Sequence, residues 1–148
     1  MHPFNDLVVP ENSVGIQWFG QSTFGLKHPD GTLIQVDPYY PHERPSETFV
    51  HGLPPLDEST LRTDYVLLTH DHGDHTCIES LERIHAAYPE VKFIGPPEIV
   101  SIMISSPLSI VTAGEREASK NPQWQVEADS FKVFTVIVIY PFSTAGKV

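Results

Sequence analysis

A single layered α/β domain is the fold class this sequence predicts, and three observations carry the prediction. A meander of short, β-rich segments opens the chain between Val14 and Asp37. One continuous apolar segment follows at Tyr65-Val-Leu-Leu-Thr69, and helical and extended patterns then alternate as far as Ile104. Size agrees with this: residues 1–148 are one domain's worth of chain, able to withdraw about 70% of its unfolded surface from water without a disulfide scaffold.

The first strand is expected over Gly15-Ile-Gln-Trp-Phe19, the second over Thr23-Phe-Gly-Leu-Lys27 and the third over Thr32-Leu-Ile-Gln-Val-Asp37, all short and rich in β-formers. His28-Pro29-Asp30-Gly31 joins the last two as a hairpin turn, Pro29 suiting the fixed φ of the second turn position and Gly31 the fourth. Pro38, Pro41, Pro45, Pro54 and Pro55 then exclude a regular core element up to Thr63, and loops of that length are ordinarily functional or disordered. The unalternating run Tyr65–Thr69 predicts a strand buried on both faces. Thr76-Cys-Ile-Glu79 fits a capping box, Ile78, Leu81, His85 and Tyr88 recur at helical spacing, and Pro89 ends that helix. A strand at Val91–Ile94, a second helix at Pro97–Ile104, and strands at Ser109–Thr112, Gln123–Glu127 and Phe131–Tyr140 complete the reading.

Charge narrows the function classes. Nine Lys and Arg against 19 Asp and Glu give a net charge of −10. Polyanion binding needs clustered cations, so nucleic acid and anionic membranes are not expected partners. No apolar run approaches the roughly 18 residues of a membrane span, and the opening MHPFNDLVVP lacks the basic and apolar regions of a secretory signal, so a cytoplasmic address is expected. The single cysteine, Cys77, excludes an internal disulfide or a four-thiolate zinc site and reads as a small buried hydrophobe.

The chemistry-bearing segment begins where the buried strand ends, at Thr69-His70-Asp71-His72-Gly73-Asp74-His75. His70 and His72, two apart, can point the same way from an extended segment. Gly73 allows a reversal, and Asp74 with His75 can then face a second point beside the first. Imidazole nitrogen and carboxylate oxygen suit zinc, manganese or iron, as one ion or two. Position strengthens the reading, since α/β sheets gather ligands at the carboxyl ends of their strands.

His70, His72, Asp74 and His75 match the H-x-H-x-D-H motif of the metallo-β-lactamase superfamily, which this chain resembles from about Val14 to Gly114. Trp18-Phe-Gly-Gln-Ser-Thr-Phe24, Ile34-Gln-Val-Asp37-Pro38 and Phe93-Ile-Gly-Pro96 look like the branch that includes L-ascorbate-6-phosphate lactonase. The resemblance implies a four-layer αββα sandwich holding one or two divalent metals, with hydroxide as the nucleophile. His70 and His72 would hold the first metal; Asp74 and His75 would hold the second, or Asp74 would act catalytically by orienting the attacking water. Asp37 matches the family's strand-end aspartate, acting from behind a histidine; the plainer reading is an aspartate ending a strand before Pro38. Gln21 and Ser22 lie where the family lines its pocket or form a simple polar turn, and His42 and His51 belong to the long loop.

The resemblance is to the N-terminal half of such a domain. No histidine follows His85 and the only later aspartate is Asp129, whereas a complete member supplies two further histidines and a bridging aspartate. Two function classes follow. One is a metal-dependent hydrolase of a small lactone, ester or phosphoester; the other is a non-catalytic metal-binding remnant or interaction module. A nuclease is disfavoured by the charge. Phe131–Tyr140, with Lys132 as its sole charge, is expected to lack cover and to self-associate.

Overall fold

The structure, a computed structural model, describes residues 1–96, 98–99, 110–112 and 135–139. Ser13–Gly20 (β1), Thr23–Lys27 (β2) and Leu33–Val36 (β3) form the antiparallel meander, with Trp18 opposite Phe24 and Leu26 between Ile16 and Ile34. β3 pairs in parallel with Tyr65–Leu67 (β4), β4 with Lys92–Gly95 (β5), and β5 with Ile110–Thr112 (β6). Thr135–Ile139 (β7) lies parallel to β1 at the other edge, giving the described strands the order β6-β5-β4-β3-β2-β1-β7. One ten-residue helix, Ile78–Ala87 (α1), connects β4 to β5. The mixed sheet and its crossover helix are the α/β arrangement expected of the sequence.

One face of the sheet is well covered. Phe19, Leu33, Val66 and Phe93 project from it and pack with Leu81 and Ile84 of α1 and with Phe4 of the amino-terminal 3-10 turn. The proline-rich stretch carries only a 3-10 turn at Glu58–Thr60, yet it contributes Tyr40, Leu56 and Leu61 to the same core. Arg83 fastens this stretch to α1: its guanidinium bonds the Glu58 carboxylate at 2.6 Å and the Tyr40 carbonyl at 2.6 Å. Tyr40 is fully buried, donates its hydroxyl to Gln35 Oε1 at 2.8 Å, and burial holds that hydroxyl's pKa well above the ordinary value. Both ends of the long loop are therefore anchored.

Several expectations change on contact with the structure. The strand at Tyr65 is buried on one face only: Val66 is inaccessible, but Tyr65 and Leu67 are half-buried, and on the meander Trp18 and Phe24 are 45% and 39% exposed. An apolar run records that both sides avoid charge, not that both are covered. The capping box does not form, because its two polar groups find partners elsewhere. Thr76 Oγ1 donates to the His70 carbonyl at 2.6 Å, and Glu79 pairs with Arg83 at 2.5 Å, leaving Cys77 at the helix start with no side-chain bond to the free helix amides. His2 caps the 3-10 turn by accepting from the Phe4 amide, and burial lowers its pKa. The expected helix at Pro97–Ile104, apart from Glu98 and Ile99, lies outside the described residues, as do the strand at Gln123–Glu127 and the flanks of β7. A second sheet is not among the described residues. None of the described helices is long and apolar enough to cross a membrane.

Gly25 is one of the tight points of the meander. A Cβ there would stand 2.9 Å from Phe19 Cε2 and 3.1 Å from Phe4 Cε1, both on rings held fast in the core. Gly25→Ala is expected to destabilise the protein by about 1–3 kcal/mol, as overpacking does. Urea unfolding checks it, through a lower midpoint at unchanged slope.

Candidate metal centre

β3 and β4 run side by side, so their carboxyl ends deliver Asp37 and the Thr69–His75 segment to one edge of the sheet. Asp37 is 2% exposed and adopts a left-handed backbone, φ +44°. That conformation costs roughly 1–2 kcal/mol in an L-residue and persists because both backbone groups are fixed. Its amide donates to the Leu67 carbonyl at 2.9 Å, and its carbonyl accepts the Thr23 hydroxyl at 2.7 Å. The carboxylate is thereby turned toward the motif. Oδ1 accepts the Thr69 amide at 2.8 Å, and Oδ2 accepts the Thr69 hydroxyl at 2.6 Å and lies 2.8 Å from His75 Nδ1.

These bonds set two tautomers. An ionised carboxylate only accepts, so His75 donates from Nδ1 and keeps its Nε2 lone pair free. Thr69 has one hydroxyl proton and gives it to Asp37. Its oxygen, 2.9 Å from His70 Nδ1, therefore accepts from that ring, and His70 also presents a free Nε2. One aspartate thus prepares two imidazoles for the same kind of donation, the second through a threonine.

The rings are close together. His70 lies 4.6 Å from His72 and 3.9 Å from His75 between ring centroids. The turn that gathers them is made by the backbone, with the His75 and Thr76 amides both donating to the His72 carbonyl at 2.9 and 2.7 Å. Gly73 lies inside this turn, where the reversal was expected, but its φ is not left-handed and a Cβ there would meet open space, so the turn does not require glycine. The unusual backbone lies opposite, at Gly20 (φ +98°) and Gln21 (φ +49°) in the β1–β2 turn. The Trp18 indole donates to the Gln21 carbonyl at 2.9 Å, and Gln21 Nε2 donates to Asp74 Oδ2 at 2.7 Å. Gln21 is therefore more than a polar turn residue. Ser22 Oγ, by contrast, is buried with no partner.

Asp74 Oδ2 is 3.9 Å from His75 Nε2. Two atoms bound to one zinc at about 2.0–2.2 Å can be at most about 4.4 Å apart, so this pair is within reach of a common ion. Imidazole nitrogens with free lone pairs and a carboxylate are the right donors for a divalent metal. Among the described residues, however, no group of three or more His, Cys, Asp or Glu side chains is arranged as it stands to hold an ion. The donor chemistry fits, and the side chains stop short of a finished coordination sphere. Cys77 is not among them: it is buried and accepts from Ser80 Oγ at 3.2 Å.

Beside the cluster opens a cleft of about 620 Å³, bordered by Asp74 and Gln21 on one side and by the long loop on the other. Tyr39 lines it, stacked on Phe49 with ring centroids 6.1 Å apart. Burial raises the Tyr39 hydroxyl pKa, helped by Cys77 and Asp74 and opposed by Arg44. His51 lines the cleft too, while the His42 backbone amide donates to Glu79. Thr69, Arg44 and Tyr39 were not singled out in the sequence. The position of Thr69 immediately before the first histidine was the only available signal.

A family model described as the beta-lactamase superfamily domain matches residues 15–136, from β1 into β7. The chain belongs to the beta-lactamase superfamily. Among superfamily relatives it is similar to a UPF0173 metal-dependent hydrolase of Thermodesulfovibrio yellowstonii, 32% identical over 74 residues that cover 47% of this chain and 25% of that protein. A UPF0173 metal-dependent hydrolase of Staphylococcus saprophyticus is 38% identical over 73 residues, 48% of this chain and 28% of the relative. Each match thus spans about a quarter of the relative's length. Among solved structures it is similar to Igni18, a metallo hydrolase from Ignicoccus hospitalis, at 25% identity and a TM-score of 0.43, covering 67% of this chain and 39% of that one.

Proposed function

We propose that this superfamily member is the metal-binding part of a metal-dependent hydrolase acting on a small lactone, ester or phosphoester. The observation that carries the reading is the Asp37 carboxylate, which is buried at a strand end and orients His75 directly and His70 through Thr69. Such fixing of ring and tautomer from behind is what metal-ligating histidines need. His70 and His72 would hold one divalent ion, and His75 with Asp74 a second or the remainder of the first sphere; zinc, manganese and iron all suit these donors. When bound, such an ion supplies Lewis acidity and lowers the pKa of a water it carries from about 15.7 toward about 7. Asp74 would take up or orient a proton of the attacking water, and the bond that Gln21 Nε2 donates to its Oδ2 would steady it in that role. The hairpin residues Trp18–Phe24 and the Ile34–Pro38 segment support the lactonase-like branch, and hence an acyl substrate. The names of the UPF0173 relatives support hydrolysis and metal dependence.

The test is hydrolysis of a lactone, an aryl ester and a phosphodiester by zinc- or manganese-loaded protein, with Asp74→Ala alongside. A metal-dependent rate lost at least a hundredfold in the variant, as removal of a general base predicts, bears the proposal out. A second reading, a metal-binding module without turnover, is favoured by the unfinished donor arrangement. Stoichiometric metal with no rate on any substrate would establish it instead.

A further inference from the structure

We propose that the cleft beside the histidine cluster binds a small organic anion, its carboxylate or phosphate held by Arg44 and its apolar or aromatic body laid against Phe49, Tyr39 and Trp18. This names a substrate class for the hydrolase proposed above, and as substrate recognition it rests on that reading.

Arg44 is held on two sides and left unpaired on a third. Nε donates to the His51 carbonyl at 2.9 Å, and the guanidinium carbon lies 4.2 Å above the Phe49 ring. Nη1 is buried with no hydrogen-bond partner. No carboxylate of the described residues pairs with this guanidinium, although Glu43 and Glu47 are near it in sequence. A desolvated cationic N–H without an acceptor is expensive, and such a group in a native fold calls for a missing partner. Among the described residues Arg44 is also the only Lys or Arg side chain lining the cleft, in a chain whose net charge is −10. An anion reaching this edge of the molecule therefore meets one attractive side chain, and its geometry favours oxyanions.

The walls suit the rest of such a ligand. Phe49 carries Arg44 on one face and is stacked near parallel, 22°, with Tyr39. Trp18, 45% exposed, borders the same space. A volume of about 620 Å³ lies within the ordinary range for small-molecule sites, roughly 300–1,000 Å³. Asp74 borders the cleft as well, so a molecule held by Arg44 would share the space with one of the candidate metal donors.

Calorimetric titration of the full chain with phenyl phosphate, 3-phenylpropionate and neutral 3-phenylpropionamide tests this, with zinc present and after treatment with EDTA. The expected result is saturable one-to-one binding of an anion to the metal-free wild type, weakened about tenfold to a hundredfold by Arg44→Gln, with the amide equally weak on both proteins. Which of the two anions binds tells phosphate from carboxylate. Arg44→Lys should recover part of the affinity, and it stands in for Arg44→Gln should that variant fail to fold. Equal affinity in wild type and Arg44→Gln, or no anion binding by wild type at millimolar concentration, would overturn the proposal. So would binding that vanishes with EDTA and survives in Arg44→Gln, because the anion would then be a ligand of the ion. Arg44-dependent anion binding by a protein that takes up no zinc even when zinc is supplied would instead refute the hydrolase reading and leave the anion site standing.

Discussion

Alanine at both His70 and His72 is expected to abolish retention of zinc or manganese while leaving the fold in place. Two of the four candidate donors disappear, and since losing a mere supporting residue costs metal sites about 10–100-fold in affinity, the double loss should exceed that range. The fold should survive for a specific reason. His72 is exposed, and the bonds that shape the loop are made by the backbone carbonyls of His70 and His72, which alanine retains. Metal content after dialysis, measured by atomic emission beside circular dichroism of the same samples, separates the two effects. Equal metal in wild type and variant would place the ion away from the motif.

Asp37→Asn should have the next largest effect, and on two observables at once. Asparagine tolerates the left-handed backbone about as well as aspartate does, so the substitution adds little strain and tests the carboxylate itself. The carboxylate has three donors to satisfy: the Thr69 amide, the Thr69 hydroxyl and His75 Nδ1. An amide can accept with its oxygen only, so its NH₂ faces at least one of those donors and a buried polar group is left unpaired. The expected cost is about 1–3 kcal/mol of stability together with a 10–100-fold loss of metal affinity. Chemical denaturation reads the first and competition with a chromophoric chelator the second. Thr69→Val should reproduce the His70 part of the effect and leave the His75 contact intact. Unchanged metal affinity in both variants would reduce Asp37 to a strand-end residue with no hold on the histidines.

Much of the sheet was legible because its signals are local. Thr23–Lys27 coincides with β2, and β1, β3, β4, β5 and β6 differ from expectation by a residue or two at their ends. The histidine cluster was equally plain, since four donors within six positions at a strand end need no tertiary knowledge to be noticed. What could not be read was contact at long sequence separation. Glu79 and Thr76 have the right spacing for a cap, but Arg83 and the His70 carbonyl win them. Gln21 and Asp74 are 53 positions apart, and only the sheet brings them within 2.7 Å. Gly73 drew attention as the obvious flexible residue, while the left-handed backbone around the cluster falls on Gln21, whose side chain gives no hint of it, and on Asp37, a residue type that tolerates it. Arg44, in a proline-broken loop, had no pattern at all.

The hydrogen-bond ladder between β3, β4 and β5 does not stop where β4 stops. The Leu68 amide donates to the Ile94 carbonyl at 2.8 Å, and the Thr69 amide takes up the Asp37 carboxylate where a strand would offer a carbonyl. At the far side of the loop the His75 and Thr76 amides close on His72. Amide hydrogen exchange should consequently divide the eight consecutive residues Thr69–Thr76 into two kinetic classes. Thr69, His75 and Thr76 should exchange slowly, Thr69 in step with opening of the sheet, while the exposed Asp71 and Gly73 exchange on the timescale of a free peptide. The loop is then a short span clamped at both abutments. Added zinc would slow exchange chiefly at the centre of that span, where the protons otherwise have least protection to lose.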